Sequence, residues 1–191
     1  MNRRRFLAAG AFGAGAVALG GFVPSARADV SEGELAYANF AIACEYLMAD
    51  YYRRILATGV LHGSARNGAT TARRNEREHV AALSTLLTDA GQSVPLAEDF
   101  EFAWPRKTFE SLGAAASAGA TIEAAVVGAY ASAATTITVP SYRALFTRAL
   151  ADESRHLAVL SWVSTGKPVG NAFPVALDLE DATNVVEPYL G

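Results

Sequence analysis

Apolar residues recur every three to four positions through most of residues 31–166, and no stretch alternates as a strand would. The pattern predicts four helices. The first starts at Ser31, where Glu34 completes a capping box, and runs to about Ala57 before Thr58-Gly59. Its stripe is Leu35, Ala38, Ile42, Glu45, Ala49, Tyr52 and Leu56. The second runs from about Asn67 to Ala90, with Ala72, Glu76, His79, Leu83, Leu86 and Ala90 on one face. The third lies between Thr108 and Ile137, closed by Pro140, with Ala116, Ala120, Glu123, Val127, Tyr130, Ala134 and Ile137 in line. The fourth runs from about Ser141 to Gly166 along Tyr142, Phe146, Ala149, Glu153, His156, Leu160 and Val163. A short loop at 62–67 joins the first pair, and almost nothing joins the second. Each pair therefore reads as an antiparallel hairpin. The aperiodic stretch 91–107, with Pro95, Trp104 and Pro105, is long enough to cross a bundle lengthwise. The expected fold is an all-α four-helix bundle of two antiparallel hairpins with one long crossover. Residues 175–186 have the pattern of a further short helix.

The first 28 residues have a different character. Arg3, Arg4 and Arg5 precede an uncharged, Gly/Ala-rich run from Phe6 to Val23, and Ala26-Arg27-Ala28 is a small-x-small cleavage site. That order is the order of a secretory signal, with an uncleaved anchor as the alternative. The Arg3-Arg4-x-Phe6-Leu7 string resembles the twin-arginine type, which implies export of an already folded chain. The expected organisation is a signal peptide over 1–28 and one domain over 29–191, exported to the periplasm or beyond, with no stable membrane insertion after cleavage. Cleavage leaves 12 basic against 19 acidic residues, which gives no reason to expect nucleic acid as a partner. A single cysteine excludes an internal disulfide framework and a Cys-rich metal site.

All four apolar stripes carry a charge defect near the middle: Glu45; Glu76 and His79; Glu123; Glu153 and His156. Glu-x-x-His places both side chains on one helix face about one turn apart. It occurs twice, each time 30 or 31 residues after a lone Glu, so the sequence is an approximate duplication. Four facing carboxylates cannot all stay ionised in an apolar core without compensation. Two divalent cations would neutralise them, and this donor pattern is the one that dimetal carboxylate bundles use. The expected metal ligands are Glu45, Glu76, His79, Glu123, Glu153 and His156. The alternative is that these groups are solvated, or are paired with Arg73, Arg74, Arg77 and Arg155. The phenols Tyr52 and Tyr130 each follow a lone Glu by seven residues, and read either as core aromatics or as partners of the metal site. Cys44 reads as a small buried residue, Glu78 as surface, His62 as a solvated loop residue, and Trp104 and Trp162 as packing residues. Asp152 is placed to hold His79, and Asn75 to hold His156, unless both are plain solvated groups.

Asp152-Glu153-Ser154-Arg155-His156 resembles the Asp-Glu-x-Arg-His motif of carboxylate-bridged di-iron proteins of the ferritin-like superfamily, with Asn75-Glu76-Arg77-Glu78-His79 as a less regular counterpart. The run from Asn39 to Leu47, followed by Tyr51-Tyr52, resembles the exported, desiccation-related branch. The resemblance implies a ferritin-like bundle, with Glu76 and Glu153 bridging two metals. It implies iron first and manganese second, and reaction with dioxygen or hydrogen peroxide. Three functions follow from it: a ferroxidase- or peroxidase-like oxidoreductase, an iron-binding or storage protein that assembles as a homo-oligomer, and a stress protein stabilised by metal.

Overall fold

A computed structural model describes residues 30–168, 170 and 173–191. The expected signal peptide over 1–28 lies outside them. The described chain is helical, with no strand and one isolated bridge between Phe102 and Leu190. Four long helices, α1 (Glu32–Ala57), α2 (Gly63–Asp89), α3 (Leu112–Thr136) and α4 (Pro140–Thr165), are followed by the short α5 (Leu179–Val186).

The helix ends follow local chemistry. The Ser31 hydroxyl caps the Glu34 amide and the Glu34 carboxylate returns to the Ser31 amide, closing the expected capping box. Glu34 also reaches across the fold. Its Oε1 accepts from the backbone amides of Thr138 at 2.7 Å and Val139 at 2.9 Å. One carboxylate thus starts α1 and ties down the tight turn between α3 and α4. Pro140, which was expected only to end the third helix, occupies the first turn of α4, where its missing amide costs nothing. Gly166 ends α4 in the left-handed conformation, φ 73°.

The second helix begins earlier than expected, at Gly63 rather than near Asn67, so the preceding loop shrinks to a few residues. Ala65 and Arg66 favour helix strongly enough to absorb the glycine at its start. His62 is its cap residue and is exposed.

α1 packs chiefly on α2, and α3 chiefly on α4. The expected single stripes are too narrow for α1 and α3. In α1 every residue from Phe40 to Glu45 is buried, and in α3 every residue from Ala125 to Tyr130. Two covers outside the four long helices account for this. The segment between α2 and α3 lays Phe100 against Tyr46, at 5.4 Å between ring centroids, and Trp104 against Tyr51 at 5.8 Å. The stretch before α5 crosses α3 where Gly128 leaves room, and the Leu177 amide donates to the Gly128 carbonyl at 3.0 Å. A Cβ on Gly128 would stand 2.7 Å from Leu177 Cγ, so only glycine permits that crossing. α2 and α4, by contrast, keep one solvated side. Val163 and Trp162 near the end of α4 are 42% and 61% exposed, which corrects their expected places in the core stripe and among the packing residues.

Candidate metal centre

The central residues of the four long helices bring the six charged positions together. Glu45, Glu76, Glu123 and Glu153 are each at most 1% exposed, and His156 is 9% exposed. Burying these carboxylates is tolerable only because the helices aim them at one another and at two imidazoles. Glu45, Glu76, His79 and Glu153 present one potential ligand atom each, all within 4.8 Å. Glu76, Glu123, Glu153 and His156 form a second such group. Glu76 and Glu153 belong to both.

Each imidazole turns Nδ1 inward. His79 Nδ1 is 2.8 Å from Glu153 Oε1 and 3.2 Å from Glu45 Oε2. His156 Nδ1 is 2.9 Å from Glu153 Oε2 and 3.0 Å from Glu76 Oε1. Both Nε2 atoms face the same oxygen, Asp152 Oδ2, at 3.6 Å from His79 and 3.8 Å from His156. Asn75 Nδ2 donates to that oxygen at 2.9 Å. Asp152 faces His79 as expected, but the expected partner of His156 is corrected from Asn75 to the same Asp152. Asp152 faces both rings, and Asn75 fixes Asp152. The reason is geometric: Asp152 precedes Glu153 on α4 and lies between the two imidazole-bearing turns.

The phenols cross between helices. Tyr130 on α3 donates to Glu45 Oε1 on α1, and Tyr52 on α1 donates to Glu123 Oε1 on α3 at 3.4 Å. Both rings are buried, so they fill the core and hold carboxylates at once.

Burial, reinforced by the charge of Glu153, pushes the Glu45, Glu76 and Glu123 carboxyls above their ordinary value, the latter two far above it. Burial acts the same way on Glu153, but hydrogen bonds and charge from His156 and His79 outweigh it and bring the group to about 2. Burial alone would lower both imidazoles. Instead, the hydrogen bonds that His79 donates to Glu153 and Glu45 raise it to about 10, and Glu153 with Glu123 and Asp152 raises His156. Burial and the nearby carboxylates raise Tyr52 and Tyr130 well above the ordinary phenol value, which keeps them as donors.

Protons alone leave this cluster incompletely satisfied. Glu76 Oε2 and Glu123 Oε2 are buried without a hydrogen-bond partner, and Glu76 Oε1 and Glu153 Oε1 face the Nδ1 atoms of His156 and His79. Such orphaned oxygens, aimed inward beside imidazole nitrogens, match the hard-donor set that divalent iron or manganese accepts. The arginine alternative does not hold among the described residues. Arg155 pairs with Asp152, and Arg74 pairs with the exposed Glu78 at 3.5 Å. Cys44 is buried beside Glu45 and is absent from both ligand groups. Trp104 is half-buried as expected, and its indole also donates to Asp50 at 2.8 Å. That bond could not be read from the sequence, because it joins residues 54 positions apart.

An all-helical chain with a buried carboxylate–imidazole cluster at its centre is a helical protein with a candidate metal site. Residues 33–165 match the family model of the ferritin-like domain, and the chain belongs to that family. A comparison with curated proteins finds no match.

Proposed function

We propose that this chain is an exported dinuclear metal protein whose two halves each supply one Glu helix and one Glu-x-x-His helix. The observation that carries the proposal is the overlap of the two ligand groups. Each contains one imidazole and one private carboxylate, Glu45 or Glu123, and both share Glu76 and Glu153. Glu76 and Glu153 are the bridging carboxylates in this reading. Four carboxylates and two divalent cations give a neutral filled site that suits an apolar core. Iron is the metal best suited to the donors, with manganese second. The four long helices form two antiparallel hairpins, with the segment between α2 and α3 as the crossover.

The metals would supply two-electron reduction of dioxygen or hydrogen peroxide, with Fe(II) or another donor oxidised. The chain's residues supply the rest. Tyr130 and Tyr52 hold the private carboxylates by one oxygen each, leaving the other oxygen for a metal. Asp152 faces both Nε2 atoms and favours the tautomer that leaves each Nδ1 free to ligate. The apolar residues a turn away, such as Ile42, Ala72 and Ala149, keep bulk water from the cluster.

Export rests on the twin-arginine-like string Arg3-Arg4-x-Phe6-Leu7 and the small-x-small Ala26-Arg27-Ala28. The run from Asn39 to Leu47 supports the exported, desiccation-related branch. Storage in a homo-oligomeric cage is the second reading, favoured by the family alone.

Elemental analysis of the protein from its native compartment, followed by stopped-flow mixing of the Fe(II)-loaded chain with peroxide or dioxygen, tests the proposal. The expected result is about two metals per chain and consumption of oxidant coupled to Fe(II) oxidation. Metal-free protein that takes up no Fe(II) or Mn(II) overturns it. A large assembly with a mineral load would favour storage.

A further inference from the structure

We propose that Trp104 is the surface terminal of a path along which single electrons reach the candidate metal centre through the rings of Tyr51 and Tyr52. The proposal rests on the dinuclear redox reading above and adds the route by which its reductant acts.

The observation is an unbroken series of ring contacts. The Tyr52 ring lies 5.9 Å from the ligand imidazole of His156, centroid to centroid. Tyr51 lies 5.0 Å from Tyr52, and Trp104 lies 5.8 Å from Tyr51. Tyr51 and Tyr52 are buried, whereas Trp104 is only partly buried, so the series starts at the cluster and ends where solvent reaches the indole. The matching phenol of the other half leads elsewhere. Tyr130 contacts Phe146 at 5.1 Å, and a phenyl ring does not give up an electron at potentials where indole and phenol do. The duplication thus has one open branch and one closed branch.

Trp104 is also the member of the series equipped to hold an electron vacancy. Its indole N–H donates to Asp50 Oδ2 at 2.8 Å, and Asp50 in turn accepts from Arg53 and Arg54. The arginines fix the carboxylate against the indole, so a hydrogen-bond acceptor stands at the N–H and steadies the positive charge of an oxidised ring. Tyr51 lacks such a charged partner, because its hydroxyl donates to the neutral Ala115 carbonyl at 2.9 Å. Tyr51 and Tyr52 therefore conduct, and Trp104 holds the vacancy. Packing alone requires neither the indole nitrogen nor its carboxylate partner.

Each transfer balances. Trp104 loses one electron, which crosses Tyr51 and Tyr52 and reduces the oxidised centre by one equivalent. The oxidised indole keeps its proton in the hydrogen bond to Asp50. A small one-electron reductant in solvent, such as ascorbate, then returns an electron to Trp104. Two such transfers, with two protons from solvent, account for reduction of one hydrogen peroxide to two waters.

The test loads the full chain with Fe(II) and adds hydrogen peroxide without a reductant. Freeze-quenched samples are read by electron paramagnetic resonance, and the sites of oxidation by peptide mass spectrometry. Trp162 is the internal control, being 61% exposed and outside the ring series. The expected result is oxidation several-fold greater at Trp104 than at Trp162, suppressed by ascorbate. A tryptophan radical signal should be lost in Trp104→Phe and kept in Trp162→Phe. Peroxide consumed with oxidation mainly at Trp162, or with the same radical signal in Trp104→Phe, overturns the path and leaves the dinuclear reading standing. A chain that takes up no iron overturns both.

Discussion

Tyr130 donates its phenolic proton to Glu45, from one Glu-bearing helix to the other, and Tyr52 makes the reciprocal bond to Glu123. In the sequence these are two phenols seven residues after two glutamates. In the fold each phenol serves the glutamate of the opposite half, which α1 and α3 allow because they run antiparallel at this level.

Tyr130→Phe should therefore lower the stability of the metal-free protein by about 1–3 kcal/mol, because it strips a buried acceptor of its donor without changing ring volume. Tyr52→Phe should cost less, since its bond to Glu123 is longer, at 3.4 Å. Urea unfolding of the two variants side by side checks the order, and equal losses would contradict it.

The metal-free protein should prefer acid. Glu45, Glu76 and Glu123 have folded values above the usual carboxyl value of 4.5, so their contribution is complete below about that pH and drains away as pH rises through the raised values. His79, raised from 6.5 to about 10, acts in the same direction, and its contribution is lost as pH rises through about 10. Glu153 opposes them: lowered to about 2, it adds stability above 4.5 that is lost as pH falls toward 2. Two raised-carboxyl groups far from their ordinary value outnumber it, so thermal midpoints of the metal-free protein should fall from about pH 5 to pH 8. Metal displaces those protons, so the gain from added Fe(II) should widen over the same range. A calorimetric pH series with and without metal checks both slopes.

Loss of a shared carboxylate should differ from loss of a private one. Glu76→Ala and Glu153→Ala should bring metal content close to zero, whereas Glu45→Ala and Glu123→Ala should each retain about one metal of about two. Asp152→Ala should weaken binding of both metals by about 10–100-fold, because it faces both imidazoles. Elemental analysis after dialysis against a graded chelator separates the three classes.

Two glycines should respond oppositely to the same change. A Cβ on Gly119 would stand 2.7 Å from Tyr51 Cζ, so Gly119→Ala should destabilise by about 1–3 kcal/mol. Gly68, exposed on α2, has no atom within 4 Å of such a Cβ, and Gly68→Ala should stabilise by about 0.5–1 kcal/mol. Thermal melts of both variants decide this.

The helices and the six clustered residues were legible because both depend on period: an apolar face must recur, and a charge in the middle of it is conspicuous. The covers over α1 and α3 were not legible, because Phe100, Trp104 and Leu177 come from segments without period, and their targets depend on tertiary approach. Trp162 was misplaced as well. Its aromatic bulk suggests packing, but it stands two positions after Leu160, off the core stripe of α4, and lies in solvent. The shared role of Asp152 was hidden because sequence spacing shows which residues sit side by side on one helix, and not which oxygen lies between two helices.

That shared oxygen limits how far the two repeats can drift apart. Where one repeat has Asp152, the other has Asn75, and the asparagine spends its amide proton on the aspartate. The halves are thus specialised: one carries the acceptor for both rings, and the other keeps that acceptor in place. An exchange of Asn75 and Asp152 would preserve the composition of the pair yet reverse which half depends on the other.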